Sequence, residues 1–287
     1  MKNHLLLLLG GFICFTAFAV PQQQTFVGST PAHGIVRNFL KISLTDSIDF
    51  IRWRLELKGK RFDLQCRYGL SKPGTQGFRD EKMVEFEGGF SKTGNQLDLR
   101  DNNKVLSVLQ INDDLLHLLD QHNQMLVGNG GYSYALNSID PGNTAGFNLQ
   151  PVKTTLKYPL AYQGRTPCQE LSKILGLNKT AACDKMKWYI IFYTDSLTGQ
   201  PSHYLKGGSS FKKEAIEKGK WRIINKHDGR IIFEVTPDSK AYTLHLLKGD
   251  DNILFFTDPN GRVLIGNENF SYTLNRRMEP ISAAHRY

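Results

Sequence analysis

Two histidines have the residue type and spacing that could bind a metal ion. His117 and His122 lie five positions apart, across a segment that is typical of a turn. Neutral imidazole suits copper and zinc, so this pair is the candidate metal site of the chain. The alternative is that both are polar side chains beside a hairpin turn. Whether the chain binds a metal therefore stays open, with these two residues as the candidates.

The cysteines predict one disulfide bond. Cys168 and Cys183 lie 15 positions apart in the second half of the chain and have no counterparts in the first half, so we expect them to act together. A disulfide that closes a loop of this length contributes about 3 kcal/mol. Two buried thiols are the alternative. Cys66 lies in an alternating segment, which predicts a buried structural thiol.

The sequence contains no local motif for nucleophilic or phosphate chemistry. It has no Gly-x-Ser-x-Gly elbow, and the glycine-rich residues 128–131 and 207–210 lack the lysine and spacing of a phosphate loop. Asp120 and Asp258 begin equivalent turns, where a carboxylate usually accepts hydrogen bonds from the turn backbone. We therefore predict no catalytic residues, no bound cofactor and no enzymatic activity.

The N-terminus is typical of a secretory signal peptide. Lys2 supplies a positive charge, residues 5–18 are apolar or small, and an Ala-Phe-Ala sequence ends at Ala19. The apolar run is shorter than the roughly 20 residues that span a bilayer, and Pro21 follows closely. We predict cleavage after Ala19, export to the periplasm or cell surface, and no transmembrane segment in the cleaved chain. An uncleaved N-terminal anchor is the alternative.

Charge and composition indicate a folded protein with a basic surface. The 36 Lys and Arg residues exceed the 27 Asp and Glu residues, for a net charge of +9, but the two signs are interspersed. No basic run typical of a nucleic-acid-binding tract is present, so we predict no nucleic-acid partner. The excess charge indicates either a solvated surface or attraction to an anionic envelope surface or polymer.

The chain contains the same unit twice. Residues 120–137 read DQHNQMLVGNGGYSYALN and residues 258–275 read DPNGRVLIGNENFSYTLN, which align without gaps. A weaker match places Trp53 opposite Trp188, and upstream of them Gly34 opposite Gly164. Agreement at a fixed offset predicts two copies of one structural unit.

Short apolar or alternating segments, separated by glycine, asparagine and proline turns, predict many strands at intervals of about 8 to 12 residues. The predicted fold class is all-β: two tandem small antiparallel β-barrels, lipocalin-like meanders, with one or two short helices. The helices are predicted at residues 169–175 and 211–218. The predicted organisation is a signal peptide at 1–19, a first unit at 25–140, a linker at 141–157, a second unit at 158–277 and a tail at 278–287.

The end of each unit resembles the N-terminal domain of the NlpE copper-resistance lipoprotein family. An apolar strand leads into Leu-Leu-Asp120 or Phe-Thr-Asp258, a glycine or asparagine turn follows, and a Tyr-x-Leu strand closes the unit. The second unit adds a Thr-Pro-Cys element that ends at Cys168. The resemblance implies a six-to-eight-stranded lipocalin-like barrel in the bacterial envelope, with a role in envelope stress sensing and copper tolerance.

Two departures limit what the resemblance implies. The family's Cys-x-x-Cys is absent, since Cys168 is followed by Gln169, Glu170 and Leu171, and the lipid-carrying cysteine is absent too. The resemblance therefore implies the fold and the compartment, but it identifies no metal-binding residues in this chain. Copper as a ligand is suggested by the family resemblance only.

Together these features predict an exported envelope protein of NlpE-like type that works as a binding module, related to stress or copper homeostasis, without catalysis. Its expected partner is an envelope protein or a small apolar ligand. An exported hydrolase acting on an anionic polymer and a purely structural envelope scaffold are the alternatives.

Overall fold

A computed structural model describes residues 23–142, 146–149, 156–177, 183–207, 216–239 and 241–278. Within them the chain forms two closed antiparallel barrels of eight strands each, with one short helix in each half. The predicted fold class is therefore confirmed. Closure pairs every strand on both sides, so neither sheet leaves an open edge. The signal peptide and the predicted cleavage after Ala19 lie outside the described residues.

The first barrel is a meander in which each strand pairs with the next. Pairing of β1 with β8 closes it, with Phe26 opposite Ser138 and Val27 opposite Asn137. Its elements are β1 (Gln24–Thr30), α1 (Gly34–Phe39), β2 (Phe50–Lys58), β3 (Arg61–Gly69), β4 (Lys82–Thr93), β5 (Gln96–Asp101), β6 (Lys104–Asn112), β7 (Leu115–Leu118) and β8 (Ala135–Ser138).

The second barrel repeats this order of strands and helix. Pairing of β9 with β16 closes it, with Gln163 opposite Asn275 and Tyr162 opposite Arg276. Its elements are β9 (Leu160–Thr166), α2 (Gln169–Ile174), β10 (Met186–Thr194), β11 (Pro201–Gly207), β12 (Glu217–Asn225), β13 (Ile231–Pro237), β14 (Leu244–Lys248), β15 (Ile253–Thr257) and β16 (Thr273–Arg276).

The two tryptophans have equivalent surroundings, which confirms the internal duplication. The indole Nε1–H of Trp53 donates to Thr30 Oγ1 at 2.8 Å, and that of Trp188 donates to Thr166 Oγ1 at 2.8 Å. Both threonines are fully buried. Each indole N–H is thus satisfied inside its barrel by the last residue of the barrel's first strand.

A glycine lies opposite each tryptophan, and it corrects the weaker part of the repeat alignment. Gly28 pairs with Trp53, and Gly164 pairs with Trp188. A Cβ at either glycine would lie 2.6 Å from a carbonyl oxygen of the closing strand, so no side chain fits. The counterpart of Gly164 is therefore Gly28 and not Gly34, which begins α1.

The structure differs from the sequence-based expectation in several elements. β1 and β11 were not predicted, because glycine, polar residues and Pro201 interrupt their alternation, and α1, which begins at Gly34, was not predicted either. Residues 263–265 form an apolar run of the kind that predicts a strand, but Val263 makes only an isolated bridge to Thr257. Val263 is apolar because it packs in the cluster between the barrels. Of the second predicted helix, residues 211–215 lie outside the described part of the chain, and β12 already begins at Glu217.

One helix closes one end of each barrel. Val36 and Phe39 of α1, with Leu40 after it, are buried in the first core. Leu171 of α2 is buried in the second core in the same way. Each helix follows the first strand of its barrel, so both barrels are closed at the end where that strand finishes.

The two barrels contact each other through equivalent residues. The Gly128 N–H donates to Asn275 Oδ1 at 2.7 Å, and the Gly266 N–H donates to Asn137 Oδ1 at 2.8 Å. Between these bonds the Oγ atoms of Ser133 and Ser271 lie 2.5 Å apart. These positions coincide in the gapless repeat, so the contact has approximate two-fold symmetry.

Candidate functional site

The first barrel contains a cavity of about 520 Å³. This volume falls in the range of about 300–1,000 Å³ that is typical of small-molecule sites. Apolar side chains from β1, β2, β4, β5 and β7 form most of the wall, and polar side chains occupy part of the rim. The lining residues are Gln24, Phe26, Leu57, Gly59, Lys60, Phe90, Ser91, Lys92, Leu97, Gln110 and Leu116.

The cavity occupies the end of the barrel opposite α1. It is lined by Gln24 and Phe26 near the start of β1, by Leu57 near the end of β2, and by Gly59 in the turn that follows. Because α1 lies beyond the other end of β1, the helix does not obstruct this opening. The first barrel is therefore closed by α1 at one end and accessible at the other.

Strand register identifies the residue of the second barrel at each equivalent place. Leu57 lies four residues after Trp53, and Phe192 lies four residues after Trp188, so Leu57 and Phe192 are equivalent. On the facing wall, Gly88 lies opposite Phe62 as Gly219 lies opposite Tyr204. A Cβ at either glycine would lie 2.6 Å from the opposing aromatic ring.

That glycine match aligns the rest of the wall. Two residues beyond the glycines, Phe90 and Trp221 occupy equivalent positions. Phe90 pairs with Leu99, and Trp221 pairs with Val235. Leu99 and Val235 are therefore equivalent. Leu97 comes two residues before Leu99, as Phe233 comes two residues before Val235, so Leu97 and Phe233 are equivalent as well. At three wall positions the first barrel thus has Leu, Phe and Leu where the second has Phe, Trp and Phe.

The larger side chains fill the second barrel. The ring centroids of Phe192, Trp221 and Phe233 lie 4.9, 5.4 and 5.1 Å apart in pairs, so the three rings contact one another. Tyr158, from the segment before β9, adds a fourth ring 5.5 Å from Trp221. Aromatic packing of this kind occupies the space that the leucines of the first barrel leave empty.

The second barrel also has a depression at this end, and Tyr158 and Phe233 of the aromatic cluster form part of its wall. It has a volume of about 710 Å³ and is lined by the β10–β11 turn, by residues 156–158 and by Phe233 and Lys248. Phe192 and Trp221 do not line it. At this end the first barrel thus has a cavity between Leu57, Phe90 and Leu97, and the second has a depression beside its packed rings.

Polar groups converge at the rim of the first cavity. The Lys92 ammonium donates to Gln110 Oε1 at 2.5 Å, and Gln110 Nε2 donates to Asp113 Oδ1 at 3.4 Å. Gln110 is only 7% exposed. In the second barrel, Lys248 occupies the position of Gln110 and forms an ion pair of 2.7 Å with Asp251. That lysine is neutralised by a carboxylate, whereas Lys92 contacts a neutral amide.

A second polar cluster lies in the second barrel, around Glu217. Lys206 Nζ lies 2.8 Å from Glu217 Oε1, and the hydroxyls of Tyr204 and Tyr242 donate to the same oxygen at 3.1 and 2.6 Å. Burial, followed by the contacts with Glu217, raises the pKa of both tyrosines. These groups satisfy one another, which indicates a structural network.

The structure separates the two candidate metal ligands. His117, in β7, is fully buried where the barrels meet, 6.2 Å from the ring of Phe255. Its Nδ1 lies 3.0 Å from Leu118 O, and its Nε2 has no hydrogen-bond partner. Burial lowers the pKa of His117 to about 4. His117 is therefore a neutral packing residue at neutral pH.

His122 lies on an exposed turn organised by Asp120. The Asp120 Oδ1 atom accepts from the backbone N–H groups of His122 at 2.8 Å and Gln124 at 2.9 Å, and Asp258 Oδ1 accepts from Arg262 N–H at 2.9 Å. The structural interpretation of both aspartates is confirmed. Nowhere in the described ranges do three or more His, Cys, Asp or Glu side chains form a group that could hold a metal ion.

The predicted cysteine pair is confirmed. Cys168 and Cys183 are at bonding distance, with an S–S separation of 1.96 Å and a Cα–Cα separation of 5.9 Å. The bond joins the residue before α2 to the segment before β10. A disulfide is typical of a non-reducing compartment. Cys66 is a fully buried free thiol whose pKa is raised by burial, as expected of a structural cysteine.

Sequence reasoning missed the cavity residues Leu57, Phe90, Lys92, Leu97 and Gln110. The signal that could have found them is the comparison of the two copies strand by strand. That comparison needs gaps, because β4 has 12 residues whereas its counterpart β12 has nine. The gapless alignment covered only the last strands of each copy.

No protein-family model, no curated protein and no solved structure matches the chain. Among the residues that the structure describes, no helix is long and apolar enough to cross a membrane. The geometry of the first barrel is therefore the main basis for a functional proposal.

Proposed function

We propose that the chain is a non-catalytic binding protein of the bacterial envelope, of NlpE-like type, whose first barrel holds a small apolar ligand. The observation that supports this most is the difference between the barrels: the cavity of the first lies between Leu57, Phe90 and Leu97, and three packed aromatic rings occupy the equivalent positions in the second. The disulfide and the N-terminal signal sequence support an exported location, in the periplasm or at the cell surface. Copper tolerance rests on the family resemblance alone.

The physical basis of binding is the removal of apolar surface from water. Phe26, Leu57, Phe90, Leu97 and Leu116 present apolar groups from five different strands. Burial of apolar surface contributes roughly 25 cal/mol per Å². Because hydrogen-bonded strands hold these side chains, the ligand does not have to order its own site.

The experiment that tests this proposal transfers the second barrel's filling to the first. The substitutions Leu57→Phe, Phe90→Trp and Leu97→Phe place the three aromatic residues at equivalent positions. We expect the full chain to bind N-phenyl-1-naphthylamine, an uncharged dye that fluoresces in apolar sites. The triple variant should bind it about tenfold more weakly, or worse, because the rings occupy the cavity.

Leu44→Phe is the matched control. Leu44 is 72% exposed, so this change adds the same ring without altering the cavity, and dye affinity should stay the same. Circular dichroism should show that the triple variant remains folded, since the second barrel packs the same residues. Unchanged dye binding in a folded triple variant would contradict the proposal and favour the structural scaffold.

A further inference from the structure

We propose that the ligand of this cavity is a single-chain amphiphile with a compact anionic head, carboxylate or phosphate. Its alkyl chain lies inside the first barrel and its head lies at Lys60 and Lys92. This inference rests on the proposed function, because it names the chemical class that the same cavity takes.

The charge of the rim supports an anionic head. Only two of the residues that line the cavity carry a charge, and both are lysines, Lys60 and Lys92. Neither lysine forms an ion pair within the described part of the chain, and Lys92 contacts the neutral amide of Gln110. An ammonium group beside an apolar wall gains most from an anionic partner, since charge-assisted hydrogen bonds are the stronger ones.

The equivalent end of the second barrel differs in its charged residues. Ile223 stands at the position of Lys92, so this wall of the second barrel carries no charge there. Two lysines line the depression of the second barrel, Lys157 and Lys248, and Asp251 pairs with Lys248 at 2.7 Å. The lysine beside Gln110 in the first barrel thus contacts a neutral amide, whereas the lysine at the Gln110 position of the second barrel is paired with a carboxylate.

The position of the lysines sets the orientation of the ligand. Lys60 lies at the turn between β2 and β3, and Lys92 lies one residue before the end of β4. Both are at the accessible end, and Phe26 lies farther into the barrel, two residues beyond Gln24 along β1. An amphiphile therefore enters with its chain first and leaves its head at the rim, where water and the ammonium groups solvate it.

The test compares heads on one chain length. Decanoate, decyl phosphate, 1-decanol and decyltrimethylammonium would each compete with N-phenyl-1-naphthylamine for the full chain. We expect both anions to bind at least about tenfold more tightly than the cation. The affinity of decanol should lie between those of the anions and the cation. Lengthening the carboxylate from eight to ten carbons should strengthen binding about threefold to fourfold per methylene. The comparison of decanoate with decyl phosphate distinguishes a fatty-acid source from a phospholipid-derived one.

Two variants assign the effect to the lysines. Lys60→Gln with Lys92→Gln should weaken decanoate binding about tenfold and leave decanol binding unchanged, because only the head loses its partner. Lys58→Gln is the matched control: Lys58 is exposed at the end of β2 but does not line the cavity, so decanoate affinity should stay the same.

The two proposals fail in different ways. If all four amphiphiles displace the dye equally well, or if the double lysine variant binds decanoate normally, the proposal of an anionic head group is wrong. The proposal that the cavity binds an apolar ligand is then unaffected. If the folded triple aromatic variant still binds dye, the cavity itself is wrong, whatever the head group.

Discussion

At the scale of the residue, His117 shows how the two copies meet. The position that His117 holds in the first barrel is held by Phe255 in the second, and the two rings contact each other where the barrels join. An imidazole there must stay neutral, because no partner compensates the charge of its buried Nε2. Its lowered pKa follows directly from this burial.

The first prediction concerns pH. His117 has a pKa of about 4 in the folded chain against an ordinary value of 6.5, so the unfolded chain binds the proton more tightly. Its contribution to stability is complete above pH 6.5 and is lost as the pH falls toward 4, by about 3 kcal/mol in total. His117→Phe, which copies Phe255, should remove this part of the pH dependence.

Urea unfolding of both proteins between pH 4 and pH 7 measures the difference. The wild-type chain should lose more stability than the variant as the pH falls, while carboxylates affect both alike. Parallel curves would show that His117 does not titrate through burial.

At the scale of the element, the sequence predicts the strands better than it predicts the cavity. Alternation and turn residues indicate most strands. The helix predicted at residues 169–175 is observed as α2 (Gln169–Ile174). The cavity could not be predicted, because it depends on which side chains face each other across the barrel. Leu57 and Leu97 are ordinary core residues until their counterparts Phe192 and Phe233 are known.

The disulfide yields a prediction at this scale. Cys168→Ser with Cys183→Ser opens a loop with a sequence separation of 15, which should lower the free energy of unfolding by about 3 kcal/mol. Urea unfolding measures the loss, and dye binding should be unaffected, because the bond lies at the helix end of the other barrel. Equal stability of the variant and the wild-type chain would show that the bond constrains nothing.

At the scale of the whole molecule, the contact between the barrels should make them unfold together. Asn137 and Asn275 each accept a backbone N–H of the other barrel and are almost completely buried. Asn137→Ala with Asn275→Ala leaves the Gly128 and Gly266 N–H groups unsatisfied, which costs about 1–3 kcal/mol for each group.

Differential scanning calorimetry should therefore show one transition in the wild-type chain and two in the double asparagine variant. Asn103→Ala, at an exposed turn, is the control and should keep the single transition. Two transitions in the wild-type chain would show that the barrels are independent.

The proposed function divides the roles between the two copies. The second copy packs aromatic rings in its interior, and the first, with leucine at two of the equivalent positions, holds the ligand. A crystal structure of the full chain grown with decanoate tests this division most directly. It should show an alkyl chain between Leu57 and Leu97, with its carboxylate near Lys92, and none among Phe192, Trp221 and Phe233. A chain bound inside the second barrel, or an empty first barrel, would contradict it.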